Sequence, residues 1–308
     1  TRHLAGGIAT RLRDRTAGGP TARRQFAAVA LLPLDDGPAT SDLVERLARA
    51  LSVRGPVQIL SSRSVAAVGG IALPERPGAP VAPQTVDWLA SEEDRHRFVL
   101  YVADAGATPW SDLALRHADL VLLVGDASRP AARRPWESPL LDAPGGPVAR
   151  KALVLAHAGK PVPITGTQAW LQDRHLDFHL HLRGGVAADF DRLVRVIDGS
   201  ALGLVLGGGA ARGFAHLGVY QAFVEAGRAI DWVGGSSIGA IMGAGMARDL
   251  PPAELIALAR AAFVEGKPFG DLTLPVVSLL RGRRMERLIG QFLGGEIEDL
   301  PLPFFCVS

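Results

Sequence analysis

The sequence predicts an α/β protein built on parallel sheets, arranged as two successive layered units. Three features carry this expectation. From Gln25 onward, apolar strand-like runs alternate with amphipathic helical patterns. Two of those runs, "DLVLLVGD" and "KALVLAHA", are continuously apolar, as strands covered on both faces of a parallel sheet are. Glycine-rich turns stand at two strand-to-helix junctions, in "LVLGGGAARG" and "DWVGGSSIGA".

Taken in order, residues 1–24 hold one short amphipathic stretch and a Gly/Pro/Arg-rich break, and read as a linker or the tail of an upstream domain. "FAAVALLPL" is the first strand. "SDLVERLARALS" is a helix with Leu43, Leu47, Ala50 and Leu51 on one face. "VQILSS" is a strand, followed by a Pro/Gly-rich loop around residues 70–84. "TVDWLASEEDRH" reads as helix and "FVLYVAD" as strand. "TPWSDLALRHA" is a helix with Thr108 as N-cap and Pro109 at its first position. A proline-rich loop separates "DLVLLVGD" from "KALVLAHA". The strand in "HLDFHLHLR" and the helix "AADFDRLVRVIDG" complete a first domain over residues 25–199.

The second domain, residues 200–308, opens with the strand and glycine loop of "ALGLVLGGGAARG". The helix "FAHLGVYQAFVEAG" follows, closed by Gly227. The strand "IDWVGG" leads into the helix "SSIGAIMGAGMARD", and "PPAELIALARAAFVE" and "RMERLIGQFLG" are further helices. "LPFFCVS" is a last strand. No repeat at solenoid periods is present.

Composition narrows the function classes. The chain has 308 residues, 48% hydrophobic and 21% charged, with a formal charge of only +2. No block of like charge stands out, so a nucleic-acid partner is not expected. No apolar run reaches the roughly 18 residues of a membrane span, so any membrane contact must be peripheral. The single cysteine, Cys306, excludes a disulfide framework and reads as a buried strand thiol. With no signal-peptide pattern, a cytoplasmic protein with peripheral membrane association is expected. Both ends of the chain read as cut.

Two motifs carry chemistry. Gly235-Ser236-Ser237-Ile238-Gly239 matches G-x-S-x-G, in which a serine is held on a tight strand-to-helix turn. The flanking Gly235 and Gly239 are needed where a Cβ would strike the neighbouring strand or helix. By spacing Ser237 is the nucleophile and Ser236 a turn residue. The alternative is a serine-capped helix start. One βα unit upstream, Gly207 to Gly213 can present backbone N–H groups to an anion. The Walker Lys and Ser/Thr are absent. A dinucleotide loop fits Gly207 and Gly209 but meets Arg212 in the third glycine's place, with Asp231 near the spacing of a ribose-binding acid. The third option is the oxyanion of an acyl-transfer intermediate.

A glycine loop after one strand and G-x-S-x-G after the next are together more specific than either alone. "GLVLGGGAARGFAHLGV" followed by "DWVGGSSIGA" resembles the patatin-like phospholipase family. The stretches "EDRHRFVLYVADAGATPWSDLALRHADLVLLVG" and "SLLRGRRMERLIGQFLGGEIEDLPLPFFCVS" resemble its neuropathy target esterase branch. The resemblance covers roughly residues 26–308 and is most specific over 200–308. It implies a Rossmann-like α/β domain of structural or regulatory role, then the first half of a patatin-like α/β hydrolase domain.

The activity so implied is hydrolysis of phospholipids or lysophospholipids by a Ser–Asp dyad, without cofactor or metal. Carried over by position, Ser237 corresponds to the nucleophile, and Gly207, Gly208, Gly209, Arg212 and Gly213 to the oxyanion loop. Ala210 departs from the glycine often found there; the hole is expected to survive unless φ must be positive at that position. The family's catalytic aspartate lies in an Asp-Gly-Gly/Ala motif. After Ser237 this chain offers only Asp249, Asp271 and Asp299, each followed by leucine, and Asp198-Gly199 precedes the glycine loop. The carboxylate is therefore expected beyond this chain, and the 308 residues alone are expected to be inactive.

His216 corresponds to a histidine that the family does not use as a base, and reads as packed or capping. His179 and His181 have zinc-compatible spacing on one strand face but no recognisable third ligand. The arginines of "RGRRMERL" read as a solvated helix face, with lipid phosphate as the alternative. The resemblance leaves room for an upstream cyclic-nucleotide-binding domain in the full-length protein, although nothing in residues 1–24 establishes one. A nucleotide- or phosphate-binding module, and a catalytically inactive lipid-binding regulatory protein, are the competing readings.

Overall fold

The computed structural model describes residues 26–35, 37, 39–68, 71–142, 148–159, 163–266, 286–287, 289–290 and 295–307. They fall into two compact units. The first takes the chain up to residue 160 together with 173–200, and the second takes 161–172 together with the chain from residue 201. The linker 1–24, residues 284–285, 288 and 291–294 of "RMERLIGQFLG", Asp271, Arg281 and Arg283 lie outside the described residues.

The first unit contains six strands: β1 (Ala28–Pro33), β2 (Val57–Ser61), β3 (Phe98–Val102), β4 (Leu120–Asp126), β5 (Arg150–His157) and β6 (Phe178–Arg183). All pair in parallel, in the order β2-β3-β1-β4-β5-β6. Sequence chemistry sorts centre from edge. β1, β3 and β4 are almost wholly buried apolar runs, whereas the edge strands VQILS and FHLHLR carry polar residues between apolar ones. The helices are α1 (Ala39–Ser52), α2 (Ser62–Ala66), α3 (Pro83–Arg95), α4 (Pro109–His117), α5 (Glu137–Leu141) and, after β6, α7 (Ala187–Asp198). α2 and α5 are short helices of five residues, and α5 lies within the proline-rich segment that reads as a loop from sequence.

Polar ends in this unit are closed by side chains. Thr108 Oγ1 accepts the Ser111 amide at 3.1 Å and donates to Asp104 Oδ2 at 2.7 Å, which caps α4 at the expected residue. Buried Glu137 receives two hydrogen bonds from Arg174, at 2.7 and 2.9 Å. Asp189 takes the Arg183 amide at 3.0 Å and the Arg183 side chain at 2.7 and 2.8 Å. Burial opposes ionisation of Asp189, but the hydrogen bonds from Arg183 and the charges of Arg183 and Arg192 hold its carboxyl below the usual carboxylate range.

The second unit holds α6 (Thr167–Leu171), β7 (Gly203–Leu206), α8 (Ala215–Glu225), β8 (Trp232–Ser236), α9 (Ile238–Ala247), α10 (Pro252–Arg260) and β9 (Phe304–Val307). Its three strands are parallel in the order β7-β8-β9. Leu206, Leu217, Tyr220, Val233, Met242, Met246 and Leu255 form the centre of its core. α9, IGAIMGAGMA, is poor in bulk on one side for a physical reason. A Cβ on Gly243 would come within 3.1 Å of Val233 and 3.2 Å of Phe304, so the glycine lets the helix lie down on the sheet. Burial, first, and then the charge of Asp249 push the Tyr220 phenol up; its hydroxyl donates to the Leu250 carbonyl at 2.9 Å.

Cys306 corrects an expectation. It is exposed on β9, a strand of whose residues Phe304 alone is half-buried. Among the described residues no helix is long and apolar enough to cross a membrane.

Candidate active site

The two sequence motifs meet at the carboxyl ends of β7 and β8. These strands pair in register, Leu206 opposite Gly235, so the segments leaving them are neighbours. β8 ends at Ser236 and α9 begins at Ile238, leaving the whole reversal to one residue, Ser237. Its φ of 53° and ψ of −125° lie where an L-residue is rarely found, at a cost of about 1–3 kcal/mol. Its side chain is not spent on capping α9, which excludes the serine-capped helix start. No side chain among the described residues hydrogen-bonds its Oγ.

The flanking glycines make room for this turn. A Cβ on Gly235 would stand 2.4 Å from the Gly239 backbone, and one on Gly239 would stand 2.3 Å from the Leu206 carbonyl oxygen. Neither needs a positive φ; both are required by close approach. Gly213 is similar: it is buried, and a Cβ there would meet Ile238 at 2.5 Å. This glycine thus packs the loop onto the first residue of α9.

The upstream loop runs from Gly207 through a turn of 3₁₀ helix (Ala210–Phe214) into α8. Gly208 lies against the serine, its absent Cβ 3.4 Å from Ser237 Cβ. The Gly209 carbonyl accepts the Arg212 amide at 3.1 Å, and the Arg212 side chain is exposed. Ala210 has a φ of 50°: the alanine itself adopts the left-handed conformation that favours glycine. Alanine there carries a strain of about 1 kcal/mol.

Other sequence candidates find different uses. Asp231, weighed as a ribose-binding acid, is fully buried and accepts the Leu202 amide at 3.0 Å. It ties the start of β7 to β8 and has no open side for a sugar. Asp299 accepts the Thr167 amide at 2.9 Å, and Asp249 sits at the end of α9. His179 and His181 share a face of β6, and a histidine that sequence spacing had not flagged, His157 on β5, joins them: His157 Nε2 and His181 Nδ1 are 3.1 Å apart. The rings bond to each other, and among the described residues no three His, Cys, Asp or Glu donors converge on a metal position. His216 is half-buried at the start of α8, and its Nε2 lies 2.9 Å from the Gly207 carbonyl oxygen. Only the parallel register of β7 and β8 and the return of α8 bring these groups together.

Residues 25–195 match the model of the neuropathy target esterase family P-loop-like domain, and residues 204–300 match that of patatin-like phospholipases. The human patatin-like phospholipase domain-containing protein 6 is 36% identical over 92% of this chain and 22% of its own length. The neuropathy target esterase sws of Drosophila virilis is 31% identical over 96% of the chain and 22% of its own length. The lysophospholipase NTE1 of Mycosarcoma maydis is 32% identical over 71% of the chain and 15% of its own length. The chain thus spans about a fifth of the length of these relatives. No solved structure matches it. With one family model covering more than half of its residues and relatives aligned along nearly all of it, the chain belongs to the neuropathy target esterase family of patatin-like phospholipases.

Proposed function

We propose that the full-length protein is a serine acyl hydrolase of phospholipids or lysophospholipids, with Ser237 as its nucleophile. One observation carries the reading: Ser237 is held at φ 53° between β8 and α9, with no side chain among the described residues bonded to its hydroxyl and glycines opening the space around it. Its Oγ would attack the ester carbonyl carbon. The carbonyl oxygen would gather negative charge against amides of the Gly207–Gly209 loop and of the α9 N-terminus, where Gly208 adjoins the serine. The ester C–O bond would then break, the glycerol oxygen leaving with a proton, and water would release the fatty acid from the acyl-serine.

The remaining parts belong to the same reading. The partner of Ser237 is an aspartate supplied from outside this chain, completing a Ser–Asp dyad, and the 308 residues by themselves are inactive. Arg212 and Gly213 support the loop, Gly213 by packing on Ile238. The first unit serves a structural or regulatory role. The protein meets lipid at a membrane surface from the cytoplasm and needs neither nucleic acid nor cofactor.

The test is fatty-acid release from lysophosphatidylcholine by the full-length protein, its Ser237→Ala variant and the 308-residue chain. Release by the first alone is the expected result. Equal release by the alanine variant would remove Ser237 from the chemistry. No release by the full-length protein on any phospholipid would favour an inactive lipid-binding role, or phosphate binding at the glycine loop.

A further inference from the structure

Resting on Ser237 as the nucleophile, we infer that His216 is a positioning residue for the oxyanion hole. Its Nε2–H, donated to the Gly207 carbonyl, sets the orientation of the Gly207–Gly208 peptide and thereby aims the Gly208 amide.

The argument starts from the peptide unit. It is planar and trans, so its C=O and N–H point in opposite directions. Whatever holds the Gly207 oxygen therefore also decides where the Gly208 N–H points. Little else in the loop can do so. Glycine stands on both sides of this peptide and the place of a Gly207 Cβ is empty to 4 Å, so no side chain of the loop braces the plane; the Gly207 oxygen itself lies close to Gly239, 2.6 Å from where a Cβ there would stand. Rotated by half a turn, it would present a carbonyl oxygen where a donor is needed, directly beside Ser237. A hydrogen bond on the Gly207 oxygen is the natural way to choose one orientation, and His216 Nε2 supplies it at 2.9 Å.

The donor is itself anchored. His216 lies in the first turn of α8, next to Leu217, which is 4% exposed. One turn further on, Tyr220 is buried and bonded to the Leu250 carbonyl. The helix thus offers a fixed base from which a ring can reach back to the loop that precedes it. A carbonyl oxygen carries no proton, so Nε2 must carry one, in the neutral tautomer or in the imidazolium. The nitrogen that faces the loop is then a donor in either charge state and cannot serve as a base toward the substrate.

The measurement uses the full-length protein and lysophosphatidylcholine, with His216→Phe, which keeps a ring and loses the donor, beside His216→Gln, whose amide can still donate. The phenylalanine variant should lower kcat about three- to ten-fold with KM unchanged. The glutamine variant should recover most of the loss. Both should keep the wild-type thermal midpoint and the wild-type shape of the pH–kcat profile. Wild-type kcat in His216→Phe would overturn the inference, as would a rise in KM alone, a pH limb lost with the histidine, or equal impairment of both variants with lowered melting. If His216→Phe does not fold, His216→Ala replaces it and the comparison with glutamine is read the same way. Ser237→Ala in the same assay separates the two failures. If it stays active, the nucleophile assignment falls; if it is dead while His216→Phe is fully active, only the role of His216 falls.

Discussion

The strand ends of the two units are finished in opposite ways. In the six-stranded unit they are closed by their own side chains: Asp104 is tied to Thr108 and Ser62, Asp126 to Ser128, and Arg183 to Asp189. In the three-stranded unit β7 runs out into Gly207–Gly209 and β8 passes through Gly234 and Gly235 to Ser236, α9 has no side-chain cap, and two residues other than glycine and aspartate, Ala210 and Ser237, sit at positive φ. The other non-glycine residues at positive φ among those described, Asp173 and Asp249, are aspartates, a type that tolerates this conformation. Aspartates aside, the positive-φ strain among the described residues is concentrated in the second unit, at the edge where chemistry is proposed, and the core of α9, β8 and α10 must hold it there.

That contrast can be broken most severely at Gly239. Gly239→Ala drives a Cβ into the Leu206 carbonyl, a backbone atom that cannot swing aside, and should destabilise the second unit by about 3 kcal/mol or more. Gly207→Ala, in open space on the same loop, should fold as the wild type does. Chemical denaturation of both variants checks the pair, and equal stabilities would remove close packing as the reason for the elbow glycine.

A smaller and opposite effect is expected at Ala210. Ala210→Gly relieves a left-handed alanine and should stabilise by about 1 kcal/mol, less the extra chain entropy glycine has when unfolded. A loss of stability in the same denaturation measurement would mean that the loop does not need positive φ there.

The smallest effects are those of pH, and they separate the units. Asp189 in the first unit has a depressed pKa when folded. Its contribution is present above the unfolded value of about 3.9 and is lost as pH falls through the lower folded value. Tyr220 in the second unit has a raised pKa. Its contribution is fully present below the unfolded value of about 10 and is lost as pH rises through the higher folded value. Tyr220→Phe should therefore flatten the alkaline side of the stability profile and leave the acid side unchanged. Retention of the alkaline loss in Tyr220→Phe would assign it to another group.

Much of this was legible from sequence where the signal is local. The continuous apolar runs of β4 and β5 read as strands covered on both faces of a parallel sheet, β1 and β3 read as strands, and Thr108-Pro109 read as a helix start, because periodicity and capping act within a few residues. The two glycine motifs read as an elbow and an anion loop for the same reason. Other features depend on which distant segments become neighbours. Strand order placed β3 between β1 and β2, and brought His157 to His181 from another strand. Cys306 is exposed on β9 although its run of apolar letters suggested burial. Asp231 had the spacing of a ribose ligand, but its place beneath the start of β7 spent its carboxylate on a backbone amide. His216 could be read only as a histidine in a helix until the fold returned that helix to the Gly207 carbonyl. By itself the sequence determined the α/β class, the order of the elements and the two motifs, since these follow from short-range pattern. Tertiary structure alone decided which carbonyl, ring or carboxylate each functional group meets, and the positive φ at Ala210 and Ser237, because strand register and close packing set both.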